Sequence, residues 1–207
     1  MSRALGIVLV ALVVTLAAPT TSTAPLAAGP IDQPGFAKAM TCSACHGIAG
    51  NSRSAAVPIL AGVSPAYFKK AIEDYAAGKR TSAEMEPFAK QVEILGVDEI
   101  AAYFAAQRRE PTPVKADRGA VERGRAAATQ CAACHGAEGQ GGAPGDPTKL
   151  GPAIAGQPAG YLKNQLLLFK ADKRSPGDEP LTKMKAILKA IPDETLGDVA
   201  AYYSSLR

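Results

Sequence analysis

Apolar residues that recur every three or four positions predict short helices, separated by loops rich in glycine and proline. The clearest helix begins at Ser64 and Pro65, a serine cap followed by proline at the first helical position, and it ends at Gly78. Further helices are predicted over residues 31–41 and 98–108, so the first half of the chain is predicted to be a small helical unit. The apolar residues of the clearest helix recur at core spacing: Tyr67, Phe68, Ala71, Ile72 and Tyr75.

The second half of the chain repeats this order of elements. Helices are predicted over residues 118–130, 158–171 and 193–206, and Tyr161 takes the place of Tyr67. The offset between matching residues grows from 89 to 94 and then to 99, which two insertions of about five residues in loops explain. Because loops accept added length at little cost in free energy, the sequence predicts a tandem duplication of one all-α domain.

A polar segment containing Pro111 and Pro113 joins the two halves. Proline-rich polar stretches of this kind are typical of interdomain linkers. The predicted domains are therefore residues 29–110 and 118–207, with a linker at residues 111–117.

The first 28 residues have the pattern of a secretory signal peptide. Arg3 precedes an apolar run over residues 4–18, which is shorter than the roughly 20 residues that span a bilayer. We therefore expect export to the periplasm, with cleavage after Ala24, Ala27 or Ala28, and an uncleaved anchor as the alternative. No later run is long enough to span a membrane, although peripheral association of the mature chain stays open.

Composition narrows the function only slightly. The 207 residues are 47% hydrophobic, contain no tryptophan and carry a formal net charge of +4. So small an excess of basic residues gives no indication of nucleic-acid binding. The sequence also has no phosphate-binding loop and no Ser-His-Asp arrangement, since each of its two histidines directly follows a Cys-x-x-Cys pair, and we expect a protein without catalytic residues of its own.

Two Cys-x-x-Cys-His motifs contain every cysteine and histidine in the chain. This motif attaches haem c, because its two thiols can add to the two vinyl groups of one haem and the adjacent histidine can bind the iron. A redox-active thiol pair, structural zinc and disulfides are the alternatives, but none requires histidine after the second cysteine. The motifs predict two covalently attached haem c groups, held by Cys42, Cys45 and His46, and by Cys131, Cys134 and His135.

The second axial ligand of each iron is expected to be methionine, since no histidine or cysteine remains. Met1 belongs to the signal peptide, and Met40 lies too close to Cys42 to reach the opposite face of the haem. Met85 and Met184 remain, one in each repeat, each in the loop predicted between the second and last helices. Packing into the core is the alternative role of a methionine in a helical protein.

Other residues are candidates for contacts around the haems. The carbonyl groups of Pro58 and Pro152 could accept the imidazole N–H and orient the ring, or these could be ordinary loop prolines. The arginines that follow the second helix of each repeat could pair with haem propionates or be solvated charges. The matching tyrosines could offer hydroxyl groups to the haem edge or belong to the helix core. These residues are Arg80, Arg174, Tyr67 and Tyr161.

Over nearly all of the mature chain, the pattern resembles the dihaem cytochrome c4 family. The matching motifs are Cys-Ser-Ala-Cys-His-Gly at 42–47 with Gly50-Asn51-Ser52, Cys-Ala-Ala-Cys-His-Gly at 131–136, Ala155-Gly156-Gln157 with Tyr161, Met85 with Pro87, and the endings at 101–104 and 200–203. The resemblance implies two class I cytochrome c domains related by a pseudo-twofold axis, with their haem propionates facing each other. One departure is Val63, which stands where the second repeat has Gln157.

The resemblance implies a periplasmic carrier of single electrons from a respiratory donor to a terminal oxidase or similar acceptor. The alternative is the dihaem electron-transfer subunit of a periplasmic dehydrogenase, such as a flavocytochrome sulfide dehydrogenase, which would make a flavoprotein its partner. An enzyme with one open haem is a third hypothesis, against which the paired methionines count.

The sequence also predicts where a redox partner docks. Seven basic residues and only three acidic ones lie between positions 163 and 189, around the second methionine. A basic surface for an acidic partner is therefore expected on the second domain, with a solvated helix face as the alternative.

Overall fold

The computed structural model describes residues 29–142 and 151–207. The predicted signal peptide and most of the first loop insertion lie outside the described residues. Within those two ranges the chain is helical and has no β-strand, only an isolated antiparallel bridge between Arg80 and Arg174. None of the helices in these ranges has both the length and the apolar character needed to cross a membrane.

The first domain contains a short 3-10 turn at Pro30–Asp32 and four helices: α1 (Phe36–His46), α2 (Pro65–Ala76), α3 (Met85–Leu95) and α4 (Val97–Ala106). Helix α2 packs against α3 and α4, and α1 packs against α4. Their apolar faces meet in a core whose largest side chains are Phe68, Ile72, Tyr75, Val92, Ile100, Tyr103 and Phe104.

The described part of the second domain contains five helices: α5 (Arg118–Ala127), α6 (Ala132–His135), α7 (Ala159–Lys170), α8 (Thr182–Lys189) and α9 (Asp193–Ser205). Helices α5 and α7 both pack against α9. A separate core forms around Ala128, Leu162, Val199, Ala200 and Tyr203. Two cores, each within one repeat, confirm the predicted all-α fold of two tandem domains.

The predicted cap of α2 is confirmed. Ser64 precedes Pro65, and its hydroxyl oxygen accepts a hydrogen bond from the backbone N–H of Tyr67 at 3.3 Å. Because the cap satisfies a donor that the helix leaves unpaired, it fixes where α2 starts.

The positions predicted for the two methionines were wrong in their local structure. Both were predicted to lie in loops. Met85 is instead the first residue of helix α3, and Met184 lies within helix α8. Pro87 argued against a helix here, because proline is unfavourable in a helix interior. It is the third residue of α3, however, where a backbone N–H group would have no partner within the helix.

Two predicted helices also differ in their bounds. Helix α1 begins at Phe36 rather than residue 31, because Gly35 adopts a positive φ of 82° and interrupts the preceding turn. The helix predicted over residues 118–130 ends at Ala127, where a 3-10 turn leads into α6.

Helices α5 and α9 approach each other closely. A Cβ atom at Gly124 would overlap the carbonyl oxygen of Asp198 and crowd the side chain of Tyr202. The Arg123 guanidinium donates two hydrogen bonds, of 2.7 and 2.8 Å, to the Asp198 carboxylate and lowers the pKa of that carboxyl. These contacts fix the position of the helix that leads into the second Cys-x-x-Cys-His motif.

The two domains are joined by hydrogen bonds that span the repeats. The backbone N–H of Ser175 donates to the carbonyl of Lys79 at 2.6 Å. The Lys70 ammonium contacts Asp74 of its own domain at 2.8 Å and Asp178 of the second domain at 2.9 Å. The domains are therefore held in one arrangement by direct contacts as well as by the connecting segment.

Candidate haem-attachment sites

The first Cys-x-x-Cys-His motif forms the last turn of α1. Cys42 packs against the core of the first domain, whereas Cys45 is exposed. Burial raises the pKa of the Cys42 thiol to about 11. Gly47 ends the helix directly after His46, with a positive φ of 80° that favours glycine.

The second motif has the same arrangement. Cys131 packs against the core of the second domain and Cys134 is exposed, while Gly136 follows His135 with a φ of 82°. Each domain therefore presents one inner and one outer thiol on a helical turn that ends in histidine. That is the arrangement needed to attach a haem beside an axial imidazole.

Both histidine rings are oriented by a backbone carbonyl. His46 Nδ1 lies 2.8 Å from the carbonyl oxygen of Pro58, and His135 Nδ1 lies 2.8 Å from that of Pro152. Because the carbonyl can only accept, Nδ1 carries the proton and Nε2 keeps the lone pair that binds a metal. Burial lowers the pKa of both imidazoles, which favours the neutral form that a ligand must have.

The two methionines predicted to be ligands are less exposed than the one that was set aside. Met85 packs against the core of the first domain, and Met184 is half-buried in the second. Met40, the methionine set aside for its proximity to the first motif, is 50% exposed. The assignment of Met85 and Met184 as axial ligands stays a prediction.

The predicted arginines and tyrosines meet between the domains. Arg80 donates to the hydroxyl of Tyr161 at 2.9 Å, and Arg174 donates to the hydroxyl of Tyr67 at 2.8 Å. Each arginine therefore bonds the tyrosine of the opposite domain. Arg80 and Arg174 are only 3% and 6% exposed, so the alternative that they are solvated charges was wrong.

Three further residues complete this interdomain cluster and were not predicted. The Gln165 Oε1 atom accepts hydrogen bonds from Arg80 at 2.9 Å and from Arg174 at 2.6 Å. Each guanidinium also lies over an aromatic ring of its own domain, that of Tyr75 at 4.4 Å and that of Phe169 at 4.2 Å. The sequence did contain a signal for Gln165, because it is a polar residue at a position where the first repeat has an apolar alanine.

The interdomain cluster has the character of a site for anions. The Nε atoms of Arg80 and Arg174 are buried and have no hydrogen-bond partner among the described residues. Burial opposes ionisation of Tyr67, but the two guanidinium charges outweigh it and lower the pKa of Tyr67 to about 7. Two buried cations with unused donors fit carboxylates such as the haem propionates.

A helical domain whose Cys-x-x-Cys-His turn presents two thiols beside a carbonyl-oriented histidine defines a c-type cytochrome, and this chain contains two such domains. The family model described as Cytochrome c matches residues 121–207.

Comparison with known proteins identifies the family. Cytochrome c4 of Pseudomonas aeruginosa is 32% identical over 180 residues, covering 83% of this chain and 87% of that protein. The crystal structure of reduced recombinant cytochrome c4 from Pseudomonas stutzeri superposes with a TM-score of 0.72 at 26% identity, covering 84% of this chain and 97% of that one. A thiosulfate dehydrogenase electron acceptor from Stutzerimonas stutzeri is 30% identical, covering 81% of this chain and 80% of that protein.

The chain belongs to the cytochrome c4 family. It is a dihaem electron-transfer protein with two covalently attached haem c groups, which confirms the predictions of family, fold and cofactor. The domain boundaries and the roles of individual site residues stay predictions.

Proposed function

We propose that this cytochrome carries single electrons in the periplasm, between a respiratory donor and a terminal oxidase or similar acceptor. The observation that supports the proposal is the duplicated site. In each domain a buried histidine, oriented by a proline carbonyl, ends the helical turn that presents two thiols. A haem bound there supplies reversible one-electron oxidation of its iron.

The side chains of each domain have distinct tasks in this proposal. The four cysteines would hold the haems by thioether bonds, and His46 and His135 would supply the imidazole ligands through Nε2. Met85 and Met184 would complete the ligation and leave no place for a substrate, so the protein would transfer electrons without catalysing a reaction of its own. Arg80 and Arg174 balance the propionate charges between the domains.

A second candidate function is that of a dedicated electron acceptor for a dehydrogenase. The likeness to a thiosulfate dehydrogenase electron acceptor favours it, and there the catalysis belongs to the partner. Purification of the untagged protein from its own cells distinguishes the two. A dehydrogenase that co-elutes in equal amount supports the dedicated acceptor, and elution without one supports the general carrier.

The proposed sites are tested by the haem content of the exported protein. Because each motif supplies two thiols and a ligand, mass spectrometry after acid–acetone extraction should show the mature chain plus two haem masses. The same spectrum gives the N-terminal residue, which we expect directly after Ala24, Ala27 or Ala28. A mass corresponding to one haem would contradict the duplicated site.

A further inference from the structure

One peptide group connects the first histidine to the second domain. The carbonyl oxygen of Pro58 accepts the hydrogen bond from His46 Nδ1 at 2.8 Å. The N–H of the same peptide group belongs to Ile59 and donates to Gln157 Oε1, also at 2.8 Å. The imidazole of the first domain and the amide of Gln157 in the second therefore bond opposite ends of a single peptide unit.

The Gln157 side chain is held in one orientation. Its Nε2 atom donates to the carbonyl oxygen of Ile59 at 2.8 Å, while its Oε1 atom accepts from the N–H of that residue. A reversed amide would place donor against donor and acceptor against acceptor. Gln157 is 5% exposed and Ile59 is 1% exposed, so water does not compete for these bonds.

The matching residue of the first domain cannot make the equivalent hydrogen bonds to the second domain. Val63 aligns with Gln157 in the repeat, and valine has neither a donor nor an acceptor in its side chain. The departure between the repeats noted in the sequence thus coincides with a contact that acts in one direction, from the second domain to His46.

We propose that Gln157 is a positioning residue through which the second domain lowers the reduction potential of the first haem. The inference rests on the proposed role of His46 as the axial ligand of that haem. When the N–H of a peptide group donates a hydrogen bond, its carbonyl becomes a stronger acceptor. A stronger acceptor at Nδ1 makes the imidazole a more basic ligand, and a more basic ligand favours the oxidised iron.

The test compares Gln157→Leu with the native holoprotein. Leucine keeps the approximate volume and removes both hydrogen bonds, so the Pro58 carbonyl becomes a weaker acceptor. We expect the potential of the first haem to rise and that of the second to stay unchanged in an NMR-monitored redox titration. In the reduced protein, the Nδ1–H resonance of His46 should move upfield, while that of His135 should keep its position.

A matched control is Gln107→Leu. Gln107 is 7% exposed and donates to the Tyr103 carbonyl within its own domain at 2.9 Å, so this variant also loses a buried amide. It makes no bond to Ile59 and should leave the His46 resonance in place. An equal shift in both variants would show a general effect of losing a buried amide and would overturn the proposal.

Loosening of the domain interface has its own signature. The amide of Ser175 donates across the interface to Lys79, so its hydrogen exchange reports whether the domains stay together. If Gln157→Leu speeds that exchange, Lys70→Met decides, because it removes the contact with Asp178 across the same interface and leaves the Gln157–Ile59 bonds in place. Lys70→Met should speed the Ser175 exchange and leave the His46 resonance in place, and a His46 shift equal to that of Gln157→Leu overturns the proposal.

The result also separates this inference from the proposed function. Two haems with methionine ligation and an unchanged first potential in Gln157→Leu would remove the role of Gln157 and leave the electron carrier intact. Loss of His46 as a ligand, seen as a missing imidazole signal in the native reduced protein, would remove the ligand assignment itself.

Discussion

Met85 and Met184 carry the prediction about the sixth ligands. We expect Met85→Ala and Met184→Ala each to remove one iron–sulfur bond, so that the near-infrared charge-transfer band of the oxidised protein falls to roughly half. The potential of the affected haem should also fall, because thioether ligation raises it. Absorption spectroscopy and redox titration of the two variants measure both effects.

Met40 provides the control for these two variants. Its side chain is 50% exposed on the helix that carries the first motif, so Met40→Leu should leave the charge-transfer band unchanged. If the band weakens in Met40→Leu, then Met40 rather than Met85 is the ligand of the first haem.

Residue roles could be predicted where chemistry depends on neighbours in sequence. The thiols and the histidine of each motif are adjacent, so their joint chemistry follows from the spacing alone. The partners of Arg80 and Arg174 could not be predicted in this way, because they lie 81 and 107 residues away in the chain. Only the relative position of the two domains decides whether each arginine meets solvent or a tyrosine.

Helix α5 contains two glycines whose replacement by alanine should change the free energy of unfolding differently. Gly124→Ala places a methyl group against the Asp198 carbonyl and should lower the free energy of unfolding by about 1–3 kcal/mol. Gly119→Ala lies on the exposed side of the same helix, where a Cβ atom meets only the side chains of Asp117 and Arg123, at 3.2 and 3.3 Å, so the free energy of unfolding should change by less than about 1 kcal/mol. Denaturant unfolding of the two holoproteins measures both values, and equal effects would contradict the close approach of α5 and α9.

Elements were predictable where a local signal marked their ends. Ser64 and Pro65 gave α2 its start, and the observed helix agrees with the prediction. Helix α3 carried a weaker signal: Glu84, directly before it, makes no capping hydrogen bond, the Ser82 hydroxyl accepts from the N–H of Met85 at 3.2 Å instead, and Pro87 follows within the first turn. Its apolar residues Ala89 and Val92 pack against the rest of the first domain, so α3 depends on tertiary contacts that the local pattern does not contain.

The basic surface on the second domain is smaller than the sequence predicts. Arg174 is buried between the domains, Lys185 is paired with Asp172, and Lys170 is paired with Asp193. Four exposed lysines remain, with no ion pair among the described residues: Lys163, Lys173, Lys183 and Lys189. The remaining surface is still positively charged. In the first domain, by contrast, the acidic residues Glu84 and Glu86 stand on either side of the methionine in sequence.

This difference in charge between the two domains predicts that an acidic partner docks on the second domain. Lys189→Glu should slow electron transfer to such a partner by a factor of a few at low salt. The effect should fade as the Debye length drops from ~10 Å at 0.1 M to ~3 Å at 1 M salt. Stopped-flow kinetics with the physiological acceptor measures both the rate and its dependence on salt.

Lys90 is the matched control, because it lies five residues after Met85 on α3, as Lys189 lies five residues after Met184 on α8. Lys90→Glu makes the same change of charge on the first domain and should leave the rate nearly unchanged. Equal slowing by the two variants, or rates that do not respond to salt, would place the docking surface elsewhere.

The crosswise bonds of Arg80 to Tyr161 and of Arg174 to Tyr67 bear on how the chain arose. Each contact is the other with the repeats exchanged, which is the form of an isologous interface between identical subunits. A single ancestral domain with this arginine and this tyrosine would make both bonds with a second copy of itself. Gene duplication and fusion would then have preserved a symmetric homodimer within one polypeptide, after which each half was free to change alone.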